Sequence, residues 1–154
     1  MTKDFIQSVV NPALITLRLQ ATRKDEAIRE LLGMLTAAGL LKNPQEAERA
    51  VFDRERAMST GMEHGIAIPH GKTNTVERLQ VAVGISPEGL DFQALDGKPS
   101  TIFFLVISPL SSPGPHLRFM AEISKILRNG IVRDNLLAAR TPEEAVQALV
   151  NAAI

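Results

Sequence analysis

Thr101-Ile102-Phe103-Phe104-Leu105-Val106-Ile107 is the most apolar run of the chain, and it constrains the fold more than any other segment. It shows no polar alternation, so it reads as a central strand covered on both faces. It is far too short to cross a bilayer as a helix. A strand of that kind needs helices around it, and the flanking patterns supply them. The chain's 154 residues predict one domain, 1–154, and a 45% apolar content is enough for a real core.

Read in order, the chain interleaves strands and helices. Ala13–Leu19 follows Pro12 and reads as a strand. Thr22 is a candidate cap for a helix carrying Ile28, Leu31, Leu32 and Leu35, with Gly39 as its stop. Asn43-Pro44 opens a second helix, as cap and first helical residue. Leu79–Ile85 alternates as a half-buried strand, Ser86-Pro87-Glu88-Gly89 signals a turn, and Leu90–Phe92 reads as a short return strand. A proline-rich loop, Ser108–Pro115, leads to a helix with Phe119, Met120, Ile123, Ile126 and Leu127 on its apolar face. A short helix follows Gly130, and Thr141-Pro142 starts the last one. The expected class is therefore α/β, a single domain in the broad sense.

Chemistry concentrates in Gly61-Met62-Glu63-His64-Gly65-Ile66-Ala67-Ile68-Pro69-His70-Gly71-Lys72, which holds two of the three histidines. Ile66–Ile68 is consistent with a short buried strand. Pro69 keeps Ile68 extended, and Gly71 leaves room to turn or for another group to come close. His70 is thus expected where a strand leaves the core, beside open space. His116 is expected at a helix N-terminus, where orphan amides and the dipole disfavour its protonation and favour an anion. On the second helix Ala47, Ala50 and Val51 mark an apolar stripe whose next position is Arg54. That arginine either snorkels or pairs, or it faces a site that takes an anion.

Several function classes are excluded or weakened. Seventeen basic and 17 acidic residues balance to zero, and Trp and Tyr are absent, which argues against a nucleic-acid binder. Without cysteine there is no thiol nucleophile, disulfide or thiolate metal site. The N-terminal residues show no signal-peptide pattern, so a cytoplasmic location is expected, with no membrane insertion. The Gly65–Thr73 stretch misses the phosphate-loop pattern, because one residue too many separates its glycines and His70 stands where the second glycine belongs. Glu63, His64, His70 and His116 could ligate a metal, as in a metal-dependent hydrolase, yet their spacing fits no local metal motif. Ser59, Ser111 or Ser112 could meet a histidine, but no nucleophile elbow surrounds them. Histidine as the nucleophile itself remains. Neutral imidazole attacks phosphorus near neutral pH, and the product can pass the group on, given cations or amides for the phosphoryl oxygens.

Arg54-Glu55, Ser59-Thr60-Gly61, Gly65-Ile66-Ala67-Ile68-Pro69-His70-Gly71, Phe92-Gln93-Ala94-Leu95-Asp96-Gly97 and His116-Leu117 resemble, in order and over nearly the whole chain, the enzyme IIA domain of the bacterial phosphoenolpyruvate-dependent phosphotransferase system. The subclass is the fructose/mannitol type, which includes the nitrogen-regulatory form. The resemblance implies a mixed β-sheet flanked by helices and a phosphotransferase component without small-molecule turnover of its own. It implies that His70 is transiently phosphorylated, while His116 and Arg54 steady the phosphoryl group. It implies phosphorylated HPr or a nitrogen-type paralogue as donor, and an enzyme IIB domain or a regulatory target protein as partner. No cofactor or metal is implied. His64 matches no role and is expected at the surface.

Overall fold

The computed structural model describes residues 2–153. Its frame is a five-stranded mixed sheet: β1 (Ile15–Thr16), β2 (Ile66–Ala67), β3 (His70–Lys72), β4 (Gln80–Leu90) and β5 (Ser100–Ser108). The apolar run forms β5, and Ile102–Ile107 are fully buried. β4 lies antiparallel on one side of β5, and β1 runs parallel to β4 beyond it. β2 and β3 both pair parallel with the other side of β5. They keep one register, Ile66↔Ile102 and His70↔Val106, so they form a single edge strand interrupted at Ile68-Pro69. Pro69 has no N–H to give the ladder, and an edge strand tolerates that.

Helices cover both faces, which accounts for the absence of a polar side on β5. α1 (Thr2–Val9), α4 (Pro113–Leu127), α5 (Gly130–Ala138) and α6 (Pro142–Ala152) pack on one face, against Ile66, Ile68, Phe104 and Val106. α2 (Lys24–Ala37) and α3 (Pro44–Ala57) pack on the other, against Ala67, Phe103, Leu105 and Ile107. The Asn43 carboxamide accepts from the Glu46 amide at 3.1 Å, and the Thr141 hydroxyl accepts from the Glu144 amide at 3.1 Å. Each satisfies an orphan donor of the first turn.

The structure corrects several expectations at element ends. Of Ala13–Leu19 only Ile15–Thr16 pairs as strand, because Pro12–Leu14 closes a 3-10 turn under the Asn11 cap. α2 begins after Arg23, not under a Thr22 cap. Ser86–Gly89 does not reverse the chain: β4 runs on to Leu90 through a register shift, with Ile85 opposite Ile102 and Leu90 opposite Ser100. Such a bulge bends a strand without ending it. α4 starts at Pro113, shortening the expected proline-rich loop, since prolines fit the first turn of a helix. α1 was not anticipated, although Phe5, Ile6 and Val9 are spaced for it.

Candidate functional site

The edge strand places the first imidazole. In an extended edge strand alternate residues direct their backbone polar groups away from the sheet. At Ile68 the amide donates outward to the Thr60 carbonyl at 3.2 Å, and its own carbonyl has no ladder partner. His70 fills that need. Its Nδ1 lies 2.9 Å from the Ile68 carbonyl oxygen, which can only accept, so Nδ1 carries the proton. Nε2 is left as a bare lone pair. The expected strand exit is thus a re-entry: the chain resumes pairing at His70 as β3, and the ring is half-buried.

Gly71 places the arginine. A Cβ there would stand 2.8 Å from the Val51 nitrogen and 3.0 Å from the Ala50 carbonyl carbon. The group that approaches closely is therefore the backbone of α3. That contact presses α3 onto β3 and sets its last turns beside the His70 ring. The buried stripe of α3 is Ala47, Val51 and Glu55, at strict four-residue spacing. Arg54 lies at the edge of that stripe, not on it, and its Nη1 donates to the Met58 carbonyl at 2.8 Å.

Glu55, which sequence reading treated only as Arg54's neighbour, is the buried charge. Its carboxylate accepts from the Thr60 amide at 2.8 Å and the Thr60 hydroxyl at 2.6 Å, and pairs with Lys24 at 2.9 Å. It thereby holds the Ser59-Thr60-Gly61 turn, whose Thr60 carbonyl holds Ile68. The spacing from Val51 is the signal that could have found it.

α4 places the second imidazole. His116 sits in its first turn, is buried, and puts its ring centroid 5.4 Å from that of His70. Its Nδ1 lies 2.8 Å from the hydroxyl of Ser108, the last residue of β5. Its pKa is pushed down to about 4, chiefly by burial, then by repulsion from His70 once that ring is itself protonated, and from Lys72. Burial, more than the helix dipole, keeps the ring neutral. The pKa of His70 is also lowered, first by burial, then by Arg54 and Lys72, against the opposing Ile68 bond and Glu55.

His70, His116 and Arg54 line one cleft of about 810 Å³. Arg49 and Lys72 join them, and the exposed Leu110 and Leu117 form part of its wall. Lys72 was missed, yet its place two residues after His70 on a strand predicts the same face. Among the described residues Arg49, Arg54 and Lys72 have no carboxylate partner, whereas Asp53 pairs with Arg56 and Glu46 accepts from Thr73. The cleft therefore presents Arg49, Arg54 and Lys72 around a bare imidazole nitrogen, against one carboxylate, Glu46, that has no ion-pair partner among the described residues. His64 lies outside it, exposed, in a left-handed turn whose amide donates to Asp96 at 3.2 Å. Among the described residues no three His, Asp or Glu side chains gather as metal ligands.

Compared with known families, residues 8–152 match the profile described as "Phosphoenolpyruvate-dependent sugar phosphotransferase system, EIIA 2". The chain belongs to that EIIA 2 family. This EIIA chain is 34% identical over 138 residues to the fructose-specific EIIA component of Haloferax volcanii, covering 90% of both. It is 32% identical to the fructose-specific EIIABC component of Bacillus subtilis, of which it covers 23%. Nitrogen regulatory protein IIA-Ntr from Neisseria meningitidis superimposes with a TM-score of 0.86 at 26% identity, over 92% of this chain and 97% of that one. The IIA protein in the complex of enzyme IIAMTL with phosphorylated enzyme IIBMTL from Escherichia coli shares the fold at 23% identity, with a TM-score of 0.79 over 92% of this chain and 96% of that one. No helix among the described residues is long and apolar enough to cross a membrane.

Proposed function

We propose that this EIIA chain, as one domain over 1–154, is a phosphohistidine carrier in the cytoplasm. His70 takes a phosphoryl group from phosphorylated HPr or a nitrogen-type paralogue and hands it to an enzyme IIB domain. The observation that carries this reading is the Nδ1–H bond from His70 to the Ile68 carbonyl, which leaves Nε2 bare among unpaired cations. In the forward step the Nε2 lone pair attacks phosphorus. A new N–P bond forms, the donor's N–P bond breaks, and the donor nitrogen leaves with its electron pair. In the onward step His70 leaves as a neutral imidazole, because Nδ1 has kept its proton. Arg54 and His116 hold the equatorial oxygens, where charge is spread during transfer.

The test is incubation with phosphoenolpyruvate, enzyme I and HPr. An acid-labile, base-stable label is expected on wild type and none on His70→Ala. Full labelling of that variant would overturn the assignment.

A regulatory reading, in which phosphorylation switches docking on a target protein, draws on the close superposition with nitrogen regulatory protein IIA-Ntr. Adding about two negative charges in the cleft that the exposed Leu110 and Leu117 help to wall would change what that face accepts. Transfer assays with both donor types and with IIB acceptors separate the two. Onward transfer to IIB supports carriage, and labelling without any onward acceptor supports regulation.

A further inference from the structure

Resting on the carrier reading above, we infer that Ser108 is a positioning residue: its hydroxyl donates to His116 Nδ1 and so forces the ring proton onto Nε2, where it can bond a phosphoryl oxygen.

Two histidines meet in the cleft with opposite requirements. His70 must offer a bare Nε2 to attack phosphorus. His116 must offer an N–H to the oxygens. At neutral pH a ring held at a pKa of about 4 carries one proton only, so its tautomer decides whether it attracts or repels an anion. The partner of Nδ1 selects that tautomer. For His70 the partner is a carbonyl, a pure acceptor, and the proton stays on Nδ1. For His116 the partner is a hydroxyl, 2.8 Å away, which can donate or accept.

Burial breaks the tie. Ser108 is fully buried, and among the described residues its hydroxyl has no partner but His116 Nδ1. If Nδ1–H donated to it, the hydroxyl hydrogen would lie orphaned inside the protein, an arrangement native structures avoid. The Nε2 lone pair of His116 would then also face the phosphoryl oxygens. If the hydroxyl donates instead, each proton has a use: O–H to Nδ1, and Nε2–H toward the cleft. Both arguments favour the same tautomer.

The backbone keeps Ser108 in place for this task. Its carbonyl accepts from the Thr73 amide at 2.9 Å, and it pairs in register with Lys72 on β3. The strand that aligns His70 therefore also aligns the hydroxyl behind His116. Fixing two imidazoles as complementary tautomers from adjacent strands needs no charge in the core.

Imidazole nitrogen NMR on the 15N-histidine protein tests this directly and without any variant. The expected spectrum shows a protonated Nδ1 and bare Nε2 for His70, and a bare Nδ1 and protonated Nε2 for His116. A protonated His116 Nδ1 at neutral pH would overturn the inference, whatever His70 does. Ser108→Ala should convert His116 to mixed tautomers and slow phosphoryl transfer about tenfold, by analogy with the lower end of what hydrogen-bond partners of metal-bound histidines contribute. Ser108→Thr should restore both. Wild-type transfer by Ser108→Ala would also overturn the inference. Failure of wild-type His70 to label at all, with the His116 tautomer as expected, would sink the carrier reading and leave the Ser108–His116 assignment standing.

Discussion

Acidification should destabilise this protein through His116, and the sign follows from its burial. The imidazole titrates at about 4 in the native state against an ordinary value of 6.5. Between those values the unfolded chain binds a proton that the native state does not. Stability is therefore complete above the unfolded value and declines as pH falls toward the native one. At about 1.4 kcal/mol per unit, a gap of about 2.5 units amounts to roughly 3 kcal/mol across the window. At about pH 5 some 1.5 units of that gap are already expressed, which is about 2 kcal/mol. Urea denaturation at about pH 7.5 and about pH 5 should then show the wild-type midpoint falling by about 1 M, for a slope of about 2 kcal/mol per molar. His116→Asn keeps a polar group near Ser108 and cannot titrate, so its midpoint should fall much less. His70, shifted in the same direction, contributes to both proteins and largely cancels in the difference. Equal falls in wild type and variant would refute the reasoning.

The remaining predictions concern the supports of the cleft. Gly71→Ala would drive a methyl to within 2.8 Å of the α3 backbone. It should cost about 2 kcal/mol by chemical denaturation, as overpacking does, and weaken phosphoryl transfer by moving Arg54 away. Glu55→Gln removes the partner of Lys24 and an acceptor of the Thr60 turn. A loss of about 3 kcal/mol in unfolding free energy is expected. Among the described residues the Arg54 guanidinium hydrogen-bonds only the Met58 carbonyl, so the melting curve of Arg54→Ala should stay near wild type. Its phosphoryl-transfer rate should fall about 100-fold, the effect of losing one preorganised charge donor.

Much of this was legible in the residues. Uninterrupted apolar character identified β5 as the centre of the sheet, because only a strand covered on both faces can omit polar positions. Asn43-Pro44 and Thr141-Pro142 marked helix starts to the residue, because side-chain capping is local chemistry. Pro69-His70-Gly71 marked the imidazole on which the carrier proposal rests. Illegible were the features that depend on partners far along the chain. Whether Ser86–Gly89 turns back or bulges depends on what β5 offers opposite it. Whether Gly71 makes room for a ligand or for a helix depends on where α3 packs. The spacing from Val51 puts Glu55 on the buried stripe, but that its charge is paired there depends on Lys24, which only the fold brings beside it.

By itself, then, the sequence determined the three candidate side chains His70, His116 and Arg54, the central strand and the capped helix starts, since these are properties of short segments. Tertiary structure alone decided how those side chains are protonated. The proton of His70 sits on Nδ1 because an interrupted edge strand leaves the Ile68 carbonyl free. The neutrality of His116 comes from burial against the end of β5. A proton's place on an imidazole is set by whichever group stands within hydrogen-bond reach, and for His116 that group becomes a neighbour only when the chain has folded.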